Sequence, residues 1–412
     1  MKLSKQSKKL IAFFMKNKHI QYQEITKKTV TILKELYDEL IEAYEYVKHY
    51  DKTKITIKKI QNASQISKPN FFNAKIFPEI VRTYIDKTMM AEIIYNFSLY
   101  ERNITVIFIV ENDDIEVNID IYNRYYETIF IWLHILNTYA SKDCVKNITI
   151  YLYFTSLEKQ LPKTNISVLD EHNVNTAFTT TCPKDSEIVI FRKEEWFKVL
   201  IHETMHNFSL DFSIMNNDIV TECILNIFKV DSLVNAYEAY AEFWAEIINS
   251  IFCSFYSIKD KYNINEFLSK CEIYINFEIT YSYFQLVKTL HFMGLTYNDL
   301  YSKTNKARLL RENLYKENTN VLSYYIIKTI LINNYQGFIY WCKKNNFALL
   351  DFKKTIGNQN EFCKFIEKNF KSVTLLDNID ETNTFYLELY KKRNKNLDYV
   401  LNNLRMSICE LG

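Results

Sequence analysis

The stretch WFKVLIHETMH, residues 196–206, contains the pattern H-E-x-x-H within a run that predicts a helix. Because residues four positions apart lie on the same face of a helix, His202 and His206 can offer two imidazole nitrogens to one zinc ion. Glu203 lies beside them, where the pattern places a general base. The stretch therefore predicts two of the three protein ligands that a catalytic zinc ion needs.

The overall composition is typical of a globular protein. Apolar residues make up 48% of the 412 residues and charged residues 24%, which argues against long disordered segments. The chain is longer than one hydrophobic core usually supports, so we expect two lobes, or else one elaborated enzyme domain. The net charge is only +2, which gives no reason to expect a nucleic-acid partner or a membrane surface as partner.

The cysteines and the apolar runs bear on location. The eight cysteines are scattered and form no C-x-x-C pair, a pattern that favours free thiols in a reducing compartment, so we expect a cytoplasmic protein. The apolar run at residues 10–15 is short, precedes lysines and lacks a small-residue cleavage site, so it predicts a helix and not a secretion signal. No run of about 18 apolar residues occurs, so we expect no membrane span.

Apolar periodicity predicts the elements around the zinc helix. Up to residue 100 it predicts helices over 28–50 and 79–100 with a connection over 51–78. The next part predicts the order strand, helix, strand, edge strand, strand, helix, over 104–110, 118–140, 148–154, 173–180, 188–191 and 196–206. After Pro183 there is no proline, and the first glycine of the chain is Gly294. This favours helices over 219–230, 233–257, 264–293, 321–344 and parts of the tail after 360.

These elements predict an α+β fold with a mixed sheet and three regions. We expect residues 1–100 to form an N-terminal helical region and residues 101–215 an α/β lobe that contains the zinc helix. Residues 216–412 are expected to form a helical C-terminal lobe that carries the third zinc ligand.

The third ligand is sought on an apolar helix downstream of the two histidines. The stretch NAYEAYAEFWAE, residues 235–246, has Glu238 and Glu242 four positions apart on one helical face, among alanine and aromatic residues that favour close packing. Either carboxylate is chemically suited to zinc. The residues leave the choice open between Glu238 and Glu242.

Three motifs, which occur in the right order along the chain, resemble those of zincin metallopeptidases of the gluzincin branch. The first is formed by His202, Glu203 and His206. The second, EAYAEFWA at 238–245, is similar to the Glu-Ala-x-x-Asp helix of thermolysin-like enzymes and to the Glu-x-x-Ala-x-x-Phe-Ala helix of ImmA-type peptidases. The third, NTAF at 175–178, is similar to the Asn-Ala-Phe of the edge strand that pairs with substrate, with one residue inserted.

The resemblance covers roughly residues 100–250 and implies a zincin-like fold with zinc metallopeptidase activity. It implies a Zn²⁺ ion held by His202, His206 and Glu238. Glu203 would be the general base toward a zinc-activated water. Glu242 would hydrogen-bond to one of the histidine ligands.

The same resemblance implies a substrate. Asn175 and Ala177 on the edge strand would bind the backbone of a peptide or protein, whose peptide or isopeptide bond is hydrolysed. Three departures keep the third ligand open: the gap between His206 and Glu238 is longer than in thermolysin, Glu242 replaces an aspartate, and no glycine follows His206 as in metzincins. Two alternatives remain: an inert zincin-fold structural or binding protein such as a virion component, and a zinc amidohydrolase that acts on a non-peptide amide.

Other histidines have weaker interpretations. We expect His134 to be a core residue and His172 to lie in a surface loop, and His291 is a candidate stabiliser of the oxyanion. The richness in Asn, Lys, Ile and Tyr also resembles uncharacterised proteins of large DNA viruses, which would place the protein in a host cytoplasm or a virion.

Overall fold

A mixed β-sheet organises the first half of the chain. The computed structural model describes residues 1–17, 19–71 and 77–412. Within those residues the sheet has six strands in the order β1-β2-β3-β4-β6-β5. The strands are β1 Lys54–Lys59, β2 Ala91–Leu99, β3 Arg102–Val110, β4 Asn147–Phe154, β5 Ala177–Thr179 and β6 Asp185–Ile190. Strands β3, β4 and β6 are parallel and the other pairings are antiparallel, so the protein has an α+β fold with an open, mixed sheet.

Helices make up most of the rest of the chain. Up to the H-E-x-x-H motif they are α1 Lys5–Lys16, α2 Lys27–Lys48, α3 Glu79–Thr88, α4 Ile115–Tyr139, α5 Glu171–Val174 and α6 Trp196–Asn207, with a 3₁₀ turn at Ala63–Gln65. After the motif they are α7 Asp218–Ile227, α8 Ala236–Ser257, α9 Ile264–Phe292, α10 Tyr297–Tyr301, α11 Asn305–Leu314, α12 Lys328–Asn333, α13 Tyr335–Asn345, α14 Ile356–Asn369, α15 Val373–Lys391 and α16 Asp398–Asn402. A π-helical turn, Leu322–Ile327, runs directly into α12.

The central strands are covered on both faces. On β3, Ile107 and Ile109 belong to a buried cluster with residues of α3, whereas the ring of Phe108 lies 6.1 Å from that of Tyr125 on α4. A strand buried on both faces is apolar at nearly every position, because successive side chains point to opposite faces. This explains the unbroken apolar runs that predicted β3, β4 and β6.

Helix α6 packs on the sheet face that α4 also covers. At its start the ring of Trp196 lies 5.7 Å from Phe154 of β4 and 5.0 Å from Tyr125 of α4. Near its end Trp132 Nε1 of α4 donates a hydrogen bond of 2.9 Å to Thr204 Oγ1. Nearly all of α6 is buried, so its polar residues lie in a largely apolar setting.

Residue contacts divide the chain into two compact units. The first consists of Met1, residues 32–158 and residues 176–211, and it contains the sheet with α3, α4 and α6. The second consists of residues 2–31, 159–175 and 212–412, and it is mainly helical. Among the residues described, no helix combines the length and apolar character needed to cross a membrane. The division at residues 100 and 215 stays a prediction.

Most predicted elements between residues 100 and 257 are confirmed, but the helix predicted over 79–100 is wrong after residue 88. That part forms β2, in which exposed Asn96 and Ser98 alternate with buried Tyr95, Phe97 and Leu99. Alternation with a period of two is a strand signal, and pairing with β1 and β3 decides the outcome.

Two smaller predictions also need correction. Strand β1 lies inside the segment predicted as a connection over 51–78, of which residues 72–76 are outside the described residues. The strand predicted over 173–180 is reduced to β5, because residues 171–174 form α5 instead. Asp170 caps that helix by accepting a hydrogen bond from the His172 backbone.

The prediction that all cysteines are free thiols is wrong for Cys144 and Cys182, which form a disulfide. The sheet register explains the pairing. Strands β4 and β6 are adjacent and parallel, and Asn147 pairs with Asp185. Each cysteine lies three residues before one of these paired positions, so the two approaching loops bring their sulfurs together. The two cysteines are 38 positions apart in the sequence, so no local spacing indicated that they pair.

Removing this disulfide is expected to destabilise the protein. For a closed loop of this length, removal of the crosslink should lower the free energy of unfolding by about 3–4 kcal/mol. Urea titration of the double variant C144S/C182S measures this loss. Wild-type protein treated with dithiothreitol should lose a similar amount, whereas the double variant should not respond to the reductant. A wild-type protein that is equally stable with and without reductant would contradict the disulfide.

The second unit contains a buried ion pair. Lys328 Nζ of α12 lies 2.7 Å from Glu246 Oε1 of α8, and both side chains are almost completely buried. Lys328 also donates a 2.8 Å hydrogen bond to Ser282 of α9. Burial raises the pKa of the Glu246 carboxyl well above its usual value, and the Lys328 ammonium opposes that rise. The pair therefore links three helices at the cost of desolvating two charged groups.

Removal of one partner of this ion pair should destabilise the protein more than removal of both partners. Lys328→Met leaves a buried carboxyl without its ammonium partner and should lower the free energy of unfolding by about 3–5 kcal/mol. The double variant Lys328→Met with Glu246→Leu removes both groups and should recover much of that loss. Urea titration of the two variants tests this, and a double variant less stable than the single one would contradict it.

Candidate metal centre

Helix α6 ends in a turn that reverses the chain beside His206. Ser209 has a left-handed backbone conformation, with φ of 55°. Its N–H donates to the His206 carbonyl at 2.9 Å, and the Leu210 N–H donates to the Met205 carbonyl at 2.8 Å. These two bonds form a Schellman motif, which ends a helix and satisfies its last carbonyl groups. The reversal carries Asp211 back toward the last turn of α6.

His202 and His206 lie on consecutive turns of α6 and face each other. Their Nε2 atoms are 3.0 Å apart. His202 and the neighbouring Glu203 are buried, at 6% and 7% exposure. Two imidazole nitrogens at this distance can share a proton or bind one cation together. The structure thus brings together the two histidine nitrogens that the spacing of four predicted.

Asp211 completes this arrangement from outside the helix. Its carboxylate is fully buried and hydrogen-bonds to Nδ1 of His206. An acid at Nδ1 favours the tautomer that carries its proton there, which leaves the lone pair on Nε2 for a metal ion. The sequence resemblance implied Glu242 for a contact of this kind. Asp211 was missed because helical periodicity does not continue through the turn at Ser209.

Glu238, the proposed third ligand, belongs to the second unit and is half-buried in the first turn of α8. Glu242 follows one turn later on α8 and is buried, with 1% exposure. The assignment of Glu238 as a ligand remains a proposal.

A tyrosine contacts the Glu238 carboxylate. The hydroxyl of Tyr324, in the π-helical turn, donates a hydrogen bond of 2.8 Å to Glu238 Oε2. Sequence reasoning did not select Tyr324, because the chain has 31 tyrosines and none stands out by spacing. The π-helical turn itself, which could have drawn attention to Tyr324, leaves no mark in the apolar pattern.

The proposed substrate residues lie at the edge of the sheet. Ala177 begins β5, which is antiparallel to β6 and is the last strand in the sheet order of the described residues. Asn175 precedes this strand, and its Oδ1 accepts a hydrogen bond of 2.8 Å from Thr319 Oγ1. Ala177 is therefore placed to offer backbone groups, whereas the side chain of Asn175 is engaged within the protein.

Three other histidines were also considered in the sequence. His134 is buried on α4 and its Nε2 lies 2.6 Å from the hydroxyl of Tyr100, as expected for a core residue, and burial lowers its pKa. His172 is exposed on the short helix α5. His291 packs against Tyr386 and Tyr390, with ring centroids about 5 Å away in each case.

Comparison of the chain with protein-family models, curated proteins and solved structures finds no match. The chemistry of the candidate centre is therefore argued from its own residues.

Asp211 provides a test of how His206 is held. Asp211→Asn keeps the size of the side chain but loses the negative charge, and we expect about 10- to 100-fold weaker zinc binding, as for other acids that support a metal-bound histidine. Competition with a chromophoric chelator measures the affinity. Asp218→Asn is the matched control, because Asp218 is exposed on α7, and it should leave the affinity unchanged. Equal affinities for both variants and wild type would remove Asp211 from the centre.

Proposed function

We propose that the protein is a zinc-dependent metallopeptidase with a zincin-like fold that hydrolyses peptide or isopeptide bonds. One observation carries this proposal. On a buried helix, the Nε2 atoms of His202 and His206 lie 3.0 Å apart, and a buried Asp211 holds the other ring nitrogen of His206. Facing Nε2 atoms on one helix, with an acid at the other ring nitrogen, are the arrangement in which two histidines can bind a single metal ion.

The donor set fits zinc. Two nitrogens bound at 2.0–2.1 Å to a tetrahedral zinc ion lie about 3.3 Å apart, close to the 3.0 Å between the two Nε2 atoms. A carboxylate oxygen of Glu238 would be the third ligand. Two histidines and one glutamate are the ligands of several hydrolytic zinc sites, which keep a fourth position open.

The roles of the protein residues follow from this set. Zinc held there would act as a Lewis acid and lower the pKa of a water toward neutrality. Glu203, directly after His202, is proposed as the general base that accepts a proton from the attacking water and passes it to the leaving amine. Asp211 keeps the proton of His206 on Nδ1 throughout.

The edge strand supports an extended peptide or protein as the substrate. An edge strand presents backbone N–H and C=O groups that can pair with another extended chain. Among the described residues, strand β5 is such an edge, and it pairs directly with β6, which leads into α6. We propose that the backbone at Ala177 aligns the substrate and that Asn175 helps to hold the start of this strand through its bond to Thr319.

The location of the protein is a separate question. A cytoplasmic location was expected from scattered cysteines, but the Cys144–Cys182 disulfide weighs against a permanently reducing compartment. Disulfides persist in oxidising compartments and on virion or cell surfaces. The proposed hydrolysis does not depend on which of these applies, because none of the proposed zinc ligands is a cysteine.

The proposal is tested by zinc content and peptide hydrolysis together. Purified wild-type protein should contain about one zinc ion per chain, and His202→Ala should lose it. Glu203→Gln should keep the zinc but hydrolyse a peptide library about 100- to 10,000-fold more slowly, because it cannot accept the proton. Metal analysis and product detection by mass spectrometry give both quantities.

The control variant is Glu222→Gln, an exposed glutamate on α7, which should match wild type in both measurements. A wild-type chain without zinc would overturn the proposal. Zinc binding without hydrolysis of any peptide would instead favour the inert structural or binding protein. Hydrolysis of small non-peptide amides alone would favour an amidohydrolase.

A further inference from the structure

The π-helical turn at Leu322–Ile327 interrupts an otherwise regular helical segment. In a π turn each backbone hydrogen bond spans one residue more than in an α-helix, which rotates the residues after it relative to those before it. Turns of this kind occur frequently at functional sites. Here Tyr324 lies within the π turn and Lys328 begins α12 immediately after it.

Both of these residues contact acids on α8. Tyr324 donates to Glu238 Oε2 at 2.8 Å, and Lys328 lies 2.7 Å from Glu246 Oε1. Glu238 and Glu246 are eight positions apart, so they lie on roughly the same side of α8. The segment is thus attached to α8 at two points, one near the start of that helix and one about two turns later.

The two attachments differ in what they can do. The Lys328–Glu246 pair is almost completely buried, so it fixes how the segment lies along α8. This alignment places the Tyr324 hydroxyl against the carboxylate of Glu238, which is half-buried in the first turn of α8. A phenol fixed at its ring is a rigid donor, because it has only two side-chain torsions to restrain.

We propose that Tyr324 is a positioning residue for the metal ligand Glu238. This inference rests on the proposed function, because it takes Glu238 as the third ligand. A hydrogen bond to one carboxylate oxygen restrains rotation of the group and orients it for metal binding through a single oxygen. Tyr324 would then support Glu238 as Asp211 supports His206, from outside the helix that carries the ligand.

The test compares two neighbouring tyrosines. Tyr324→Phe removes only the hydroxyl and should weaken zinc binding by about 10- to 100-fold in a chelator competition, as do other losses of a partner to a metal ligand. The visible absorption spectrum of the Co²⁺-loaded protein should also change, because it reports the coordination geometry. Protein without the ion does not contribute to that spectrum, so partial misfolding cannot imitate the change.

Tyr325→Phe is the matched control. Tyr325 is adjacent, buried in the same π turn, and donates its own hydrogen bond of 2.7 Å to the Leu404 carbonyl. Each variant therefore loses one hydroxyl and a hydrogen bond that this hydroxyl donates. Tyr325→Phe should keep the wild-type zinc affinity and Co²⁺ spectrum, whatever it does to the thermal unfolding of the metal-free protein.

The outcomes separate the two proposals. Wild-type protein that binds neither Zn²⁺ nor Co²⁺ would defeat the proposed function itself. Wild-type protein that binds zinc, with Tyr324→Phe equal to it in affinity and spectrum, would overturn only the role of Tyr324. A variant that keeps affinity and spectrum but loses peptide hydrolysis would place the hydroxyl on the substrate and would also overturn the positioning role.

Discussion

The packing of helix α6 against the sheet is the interaction on which the candidate metal centre depends. An isolated helix of 12 residues is marginal in water, because helix nucleation is costly. Here Trp196 packs on Phe154 of β4, and Thr204 accepts a hydrogen bond from Trp132 of α4. These contacts at both ends stabilise the helical conformation of α6, and that conformation places His202 and His206 on one face.

The turns around α6 are formed without glycine. The chain has 4 glycines, and the left-handed backbone positions at Cys182, Glu195 and Ser209 carry side chains. Each such position is unfavourable by about 1–2 kcal/mol for a residue other than glycine. Local bonds offset this: the Schellman pair at Ser209, and the bond of 2.9 Å from the Cys182 N–H to the carbonyl of Asn207 at the end of α6. The helix thus begins and ends at conformations that the surrounding structure maintains.

The sequence by itself determined the local features. Unbroken apolar runs of strand length and period-3.6 apolar patterns predicted the order of elements from β3 to α6, because burial on two faces or one leaves a mark on consecutive residues. The spacing of four between His202 and His206 was sufficient to predict their facing nitrogens, since the geometry of a helix is the same in every protein. The segment that forms β2 was wrongly predicted as a helix, although its buried and exposed residues alternate as in a strand.

The tertiary structure alone decided which distant residues meet. Cys144 and Cys182 were brought together by the parallel register of β4 and β6. Asp211 reaches His206 through a non-helical turn, and Tyr324 reaches Glu238 from a π-helical turn 86 residues along the chain. Such contacts leave no periodic signal in one sequence, because they depend on the direction in which the chain turns and on how separate elements pack. Local periodicity was therefore sufficient to predict the two histidines. The residues that hold these histidines and the proposed third ligand in place could be identified only from the tertiary structure.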